Sequence, residues 1–205
     1  LNQILQDTRS MVKSNKLIQE RMQDTNNEIT KLKTELALVK EAAEQDALTG
    51  LKNRGAFDQK MKHIMTSKEA KEVALIIIDI DLFKRINDNF GHLVGDRVIR
   101  YISSLLTQLI DKKHFISRYG GEEFTVILEG VPVEDAQSLA NKVRIAMANS
   151  KLQRKGSQDT LGQVTLSAGI ASLSIEDNAE SFIARADKAL YQAKEAGRNK
   201  VVFLT

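Results

Sequence analysis

The sequence predicts a domain in which strands alternate with helices around a central sheet, α/β or α+β in class, with a long helix in front of it. Three observations carry this reading. Residues 73–78 are the longest apolar run, strand-sized and rich in β-branched side chains. Two short strand-like segments flank the pair Gly120-Gly121, a hairpin signal because glycine readily takes positive φ. Residues 1–45 contain no Gly and no Pro, and their apolar residues recur at helical spacing.

In chain order, the first element is that helix. Leu1, Thr8, Asn15, Met22, Ile29, Leu36 and Ala43 form one heptad series, and Ile4, Met11, Ile18, Thr25, Leu32 and Val39 form the second. Together they make the seam of a coiled coil, so residues 1–45 are expected to pair two copies of the chain. Thr8, Asn15 and Thr25 are polar positions in the seam, and a polar Asn there fixes register at a cost in stability. The alternative is an amphipathic helix packed on its own domain. Val73–Asp79 follows as a fully buried strand, and Val94–Ile110 as a helix with Val94, Val98, Ile99, Ile102, Leu105, Leu106 and Leu109 on one face. Phe115–Arg118 and Phe124–Leu128 are the hairpin strands. Pro132 opens a helix over Val133–Ser150, a strand lies near Val164–Ala171, and a helix over Ser181–Ala196 is stopped by Gly197. Val201–Leu204 closes the domain, which spans residues 46–205.

Composition narrows the function classes. The net charge of +3 is small and the basic residues are scattered, which does not suit a nucleic-acid binder. There is no cysteine, so a metal would sit on oxygen or imidazole ligands. No run approaches the ~20 apolar residues of a membrane span. The chain starts at Leu1 rather than Met and is read as an excerpt, with a sensor domain expected upstream. The globular domain is expected in the cytoplasm, and the parent protein could be membrane-anchored.

Three constellations carry chemistry. Asp79-Ile80-Asp81 leaves a buried strand, where carboxylates are costly unless paired or bound to a hard cation such as Mg2+; strand-end acids also cap helices. Arg118-Tyr119-Gly120-Gly121-Glu122-Glu123-Phe124 sets two acids after a tight turn, which alone reads as a solvated acidic hairpin. Lys194 through Lys200 is basic at a helix end, suited to phosphate or simply to the helix dipole.

Their order is more specific than any one of them. The chain resembles the GGDEF family of diguanylate cyclases in its GGEEF variant, over about 160 residues. The resemblance runs through Asp46–Arg54, Asp79–Lys84, Asn87–His92, Gly95-Asp96, Gly120–Phe124, Ala186–Tyr191 and Lys194–Asn199. It implies an α+β fold, with a mostly antiparallel central sheet flanked by helices in a palm-like βαββαβ core. It also implies condensation of two GTP into cyclic di-GMP with release of two pyrophosphates across a homodimer. Asp79, Glu122 and the Ile80 carbonyl match metal ligands, for Mg2+ or Mn2+. Glu122 also matches the proton acceptor, Glu123 a group that orients ligands or assists deprotonation, and Lys84 a stabiliser of phosphate charge. Lys194 and Arg198 match phosphate contacts, Asn87 and Asp96 guanine contacts, and His92 a further substrate contact. Gly120 and Gly121 would pass beneath the nucleotide, and Asp81 matches an acid of structural role.

One feature departs from the family. Many members carry an inhibitory Arg-x-x-Asp, and the corresponding residues here are Asp111 and His114, so product inhibition through that site is expected to be absent. The alternative to an enzyme is a GGDEF-like module that binds GTP or cyclic di-GMP without turnover, against which stand the intact Asp79, Lys84, Glu122 and Glu123.

Overall fold

A computed structural model describes residues 2–67, 72–150 and 162–204, with side chains described at residues 3 and 11 and from residue 13 onward. The chain divides into two units, Leu1–Glu44 and Gln45–Thr205. The first is one uninterrupted helix, α1 (Asn2–Ala43), as expected of a stretch without Gly or Pro. Its seam residues Met11, Ile18, Met22, Ile29, Leu32, Leu36 and Val39 are all exposed. Leu1 lies outside the described residues, as do the side chains of Ile4 and Thr8.

The second unit is built on a sheet of β1 (Val73–Ile80), β2 (Phe115–Arg118), β3 (Glu123–Glu129), β4 (Leu166–Ser172) and β5 (Val201–Leu204), in the order β2-β3-β1-β4-β5. Neighbours are antiparallel except β4 and β5, whose parallel pairing needs a crossover. Helix α6 (Ala179–Glu195) is that crossover. The other helices are α2 (Arg54–Thr66), α3 (Phe83–Phe90), α4 (His92–Leu109) and α5 (Val133–Ala148).

Strand β1 is central and buried along its whole length, so its alternation sorts the helices into two layers. Ala74, Ile76, Ile78 and Ile80 pack into the core shared with α4 and α5. Val73, Leu75 and Ile77 pack into the smaller core of Phe57, Met61, Phe182, Ala186 and Leu190, from α2 and α6. The sheet is thus mixed, mostly antiparallel and covered by helices on both faces.

The structure corrects several boundaries. α6 starts at Ala179, not Ser181, because Ser181 is the third residue of a capping box. Asn178 Oδ1 accepts the Ser181 N–H at 2.8 Å, and the Ser181 hydroxyl accepts the Asn178 N–H at 3.0 Å. α4 begins at His92, two residues before Val94, straight after Gly91 with φ +82°. β4 begins at Leu166, not Val164, and α5 ends at Ala148. Helices α2 and α3 are additions to the elements expected above. At its other end α6 closes as a Schellman motif, with Gly197 at φ +106°, Arg198 N–H bonding Ala193 O at 3.1 Å and Gly197 N–H bonding Lys194 O at 3.3 Å. Among the described residues no helix is long and apolar enough to cross a membrane.

Candidate active site

The alternation that buries Leu75 and Ile77 beneath α2 and α6 also turns Asp79 toward that layer, at the end of β1. Asp79 stands opposite Glu123 of β3 and Ser167 of β4. It is 5% exposed, and Lys194 Nζ of α6 lies 2.9 Å from its Oδ1. Burial pushes the Asp79 carboxyl above the usual range. The Lys194 bond and charge oppose this, Asp81 adds to it, and Arg198 opposes it again. Lys194 reaches Asp79 because α6 lies directly on the β4 backbone at Gly169. A Cβ there would stand 2.7 Å from Leu190 Cα and still closer to Leu190 N and Ala186 O.

The two hairpin acids join this end of the sheet. Glu122 O accepts the Ile80 N–H at 3.3 Å, which ties the turn to the end of β1. The carboxyls of Glu122 and Glu123 are both pushed up, first by burial and next by the charge of Asp79. Lys194 counteracts both shifts; Asp187 further raises Glu123, and Arg54 lowers it. Contrary to the hairpin expectation, neither Gly120 nor Gly121 has positive φ. A Cβ at Gly120 would lie 2.6 Å from Glu123 Oε2, so a larger residue there would turn that carboxylate aside. The Tyr119 N–H donates to Glu123 O at 2.8 Å, which closes the turn over that carboxylate.

The opening segment braces the same turn. Arg118 donates to both Asp46 oxygens at 3.2 Å and to Gly121 O at 2.8 Å. Asp46 also accepts the Thr49 N–H at 3.0 Å and hydroxyl at 2.7 Å. Arg54 stacks on the Tyr119 ring at 4.7 Å, and that ring meets Phe57 edge-on.

Asp81 is spoken for on every side. The Thr165 and Ser167 hydroxyls donate to it at 2.7 Å, and the Asn199 N–H at 2.9 Å. It therefore pins β4 and the turn after α6 to the end of β1. In that turn Arg198 (φ +62°) and Asn199 (φ +48°) are both left-handed, a conformation that costs of order 1–3 kcal/mol for a non-glycine residue and persists where surroundings enforce it.

The remaining expected residues lie on α3 and α4. Lys84 and His92 are exposed and Asp96 is half-buried. Asn87 packs on Gly95, where a Cβ would collide with its Oδ1; that oxygen is buried without a hydrogen-bond partner. Asn87 and Asp96 are thus brought to one α3–α4 junction. A cleft of about 450 Å³ lined by Leu82, Arg85, Phe90, Val164, Arg198 and Asn199 opens nearby, but its walls do not include Asp79, Glu122 or Glu123. The buried acids, rather than the walls of this cleft, make up the candidate site.

Asp79 and Glu122 fit a hard cation. They are oxygen donors whose ionisation is resisted by burial and by neighbouring carboxylates, Asp81 for Asp79 and Asp79 for Glu122, and a divalent cation would relieve both. Among the described residues no group of three His, Asp or Glu could hold a metal by itself, so further ligands would come from phosphate and water, as Mg2+ commonly uses. Asp46, Arg54, Arg118 and Asp187 enter the site unforeseen in role. All four belong to motifs named above, but only the fold brings Asp46, Arg54 and Asp187 to the hairpin that Arg118 enters.

A mixed palm-like sheet with buried acids at the end of its central strand, facing a lysine from the crossover helix, is the arrangement of a nucleotidyl cyclase. The chain belongs to the diguanylate cyclase, GGDEF domain family, whose model matches residues 43–200. It is 36% identical over 202 residues to the diguanylate cyclase VdcA of Vibrio cholerae, covering 98% of this chain and 59% of that one. The chain therefore spans less than two thirds of that relative. Among solved structures, the coiled coil and GGDEF domain of DgcB from Caulobacter crescentus, in complex with c-di-GMP, superposes with a TM-score of 0.82 at 33% identity, covering 91% of this chain and 99% of that one. The diguanylate cyclase SiaD from Pseudomonas aeruginosa, in complex with its activator SiaC, gives 0.84 at 28% identity, covering 99% and 78%.

Proposed function

We propose that the protein is a diguanylate cyclase: it condenses two GTP into cyclic di-GMP and two pyrophosphates between two copies of the domain. The observation that carries this is the cluster of Asp79, Glu122, Glu123 and Lys194 at one end of the sheet, in a chain of this family. Each 3′-hydroxyl would attack the α-phosphorus of the other nucleotide, forming a P–O bond as the bond to pyrophosphate breaks. Asp79, Glu122 and the Ile80 carbonyl would hold Mg2+ or Mn2+. When bound, the cation would neutralise triphosphate charge and acidify the attacking hydroxyl.

The residues of the chain take the remaining roles. Carboxyls pushed up by burial suit proton acceptance, a role for Glu122 or Glu123. Lys84, Lys194 and Arg198 would meet phosphate charge. The unpartnered Asn87 Oδ1 calls for a donor, and the guanine edge supplies one. Asp96 would accept from guanine N1–H and the 2-amino group, donors that adenine lacks on that edge, and His92 would add a substrate contact. Gly120 and Gly121 would lie beneath the nucleotide.

One GTP per domain requires two domains face to face, and α1 supplies a means. Its exposed seam suits a second copy. In the same heptad frame Glu28 and Glu35 take g positions while Lys33 and Lys40 take e positions. Those charges pair between helices that run parallel and in register, which favours a parallel homodimer. Linking the domains raises the effective concentration of the second half-site. A sensor upstream that shifts this pairing would gate the reaction. With Asp111 and His114 in place of the inhibitory Arg and Asp, tight product inhibition there is not expected, and calorimetry finding cyclic di-GMP held by these residues would count against that. The function is tested with GTP and Mg2+, the product identified by mass. Cyclic di-GMP is expected, with specific activity rising with protein concentration. Bound but unchanged GTP at every concentration would refute the proposal.

A further inference from the structure

The turn that carries Arg198 is held from outside by a residue with no other evident task. Helix α5 crosses near it, and Arg144 donates from one guanidinium nitrogen to Asn199 Oδ1 at 3.0 Å and to Asn199 O at 3.3 Å. The same guanidinium is aimed by its Nε, which donates to Asn141 Oδ1 at 3.2 Å, while the Asn141 amide donates to Gln137 O at 3.1 Å. Asn199 is therefore gripped at three points: its N–H by Asp81, its carbonyl by Arg144 and its side chain by Arg144 again. Two consecutive left-handed non-glycine residues have little local reason to persist, since the Schellman closure of α6 constrains only Gly197 and Arg198. Asp81 fixes the turn to β1 and β4, and Arg144 is the clamp from the opposite side.

We propose that Arg144 is a positioning residue: it holds the Arg198-Asn199 turn left-handed and so sets the Arg198 guanidinium for nucleotide phosphate. This rests on the cyclase reading for the identity of the ligand. Arg144 itself touches no substrate. Its removal acts only through Arg198, and three consequences follow. Arg144→Met raises the KM for GTP roughly tenfold, the scale of one lost charge-assisted contact, with kcat changed less. The double variant Arg144→Met/Arg198→Met is no worse than Arg198→Met alone, because the two side chains work as one unit. Asn199→Gly, which takes the left-handed conformation without strain, restores part of the KM lost in Arg144→Met.

The test is steady-state cyclic di-GMP production by these variants of the full chain, paired with the rate of tryptic cleavage after Arg198, which needs no nucleotide. Faster cleavage in Arg144→Met together with the KM rise and non-additivity supports the inference. Faster cleavage with unchanged KM, or additive losses in the double variant, overturns it. Unchanged cleavage overturns it too. Wild-type protein that neither binds nor turns over GTP sinks the cyclase reading and this inference together, whereas an active wild type with a normal Arg144→Met sinks this inference alone.

Discussion

Gly169→Ala is predicted to damage activity more than its size suggests. The added methyl would meet Leu190 Cα at 2.7 Å and would strike Leu190 N and Ala186 O harder still. Ordinary contact begins near 3.4 Å, and none of the three atoms can rotate away because all are backbone. Helix α6 must therefore retreat from β4, by about an ångström. Overpacking of this kind costs ~1–3 kcal/mol, and a rigid neighbour points to the upper end, a fall in melting temperature of roughly 6–12 °C. The same retreat carries Lys194 away from Asp79, now 2.9 Å apart. A misplacement of ~1 Å at a reacting centre can cost 100-fold in rate. The assay is thermal melting beside cyclic di-GMP production, with Gly121→Ala as the stability control, since a Cβ there meets nothing within 4 Å. If Gly169→Ala melts with the wild type and keeps full activity, α6 is not clamped to the sheet as argued.

Three further outcomes are expected. Glu122→Gln should melt above the wild type at pH 7 without divalent cation. A carboxyl raised in the fold costs stability once ionised, so the advantage should grow as pH rises through its folded pKa and vanish below the ordinary 4.5; the opposite slope would refute it. Arg118→Met should cost about 2 kcal/mol, read by denaturant melts, since it frees the Gly121 carbonyl and leaves the Asp46 carboxylate without its cation; a loss under 0.5 kcal/mol would mean the brace is idle. Ile29→Asp in the seam should shift the chain toward monomer in sedimentation and lower specific activity, most at low protein concentration; an unaltered dimer would remove α1 from the pairing.

What was readable in the sequence follows from physics that is local. Strands β2 and β5 fall on the expected residues because apolar β-formers stand between polar or glycine punctuation. The acids of the site were legible by type and order. Helix α3 was not, because it is short and enters through Leu82 in a left-handed conformation (φ +57°) without a capping side chain. Helix α2 was missed although Asn53 caps it, since its buried residues Ala56, Phe57, Met61 and Ile64 are diluted by charge. The roles of Arg118, Arg144 and Gly169 share one cause. Each depends on a partner brought by tertiary packing, such as Asn199 for Arg144, 55 positions away.

The proposed chemistry stands or falls on the hairpin acid. The most direct measurement is GTP turnover with Mg2+ by the wild type beside Glu122→Gln, each checked for folding and for GTP binding. The expected result is cyclic di-GMP from the wild type and a loss of at least ~100-fold in a folded, GTP-binding Glu122→Gln. Equal turnover by the two would take the chemistry away from this site, and a wild type that binds GTP without making product would contradict the cyclase itself.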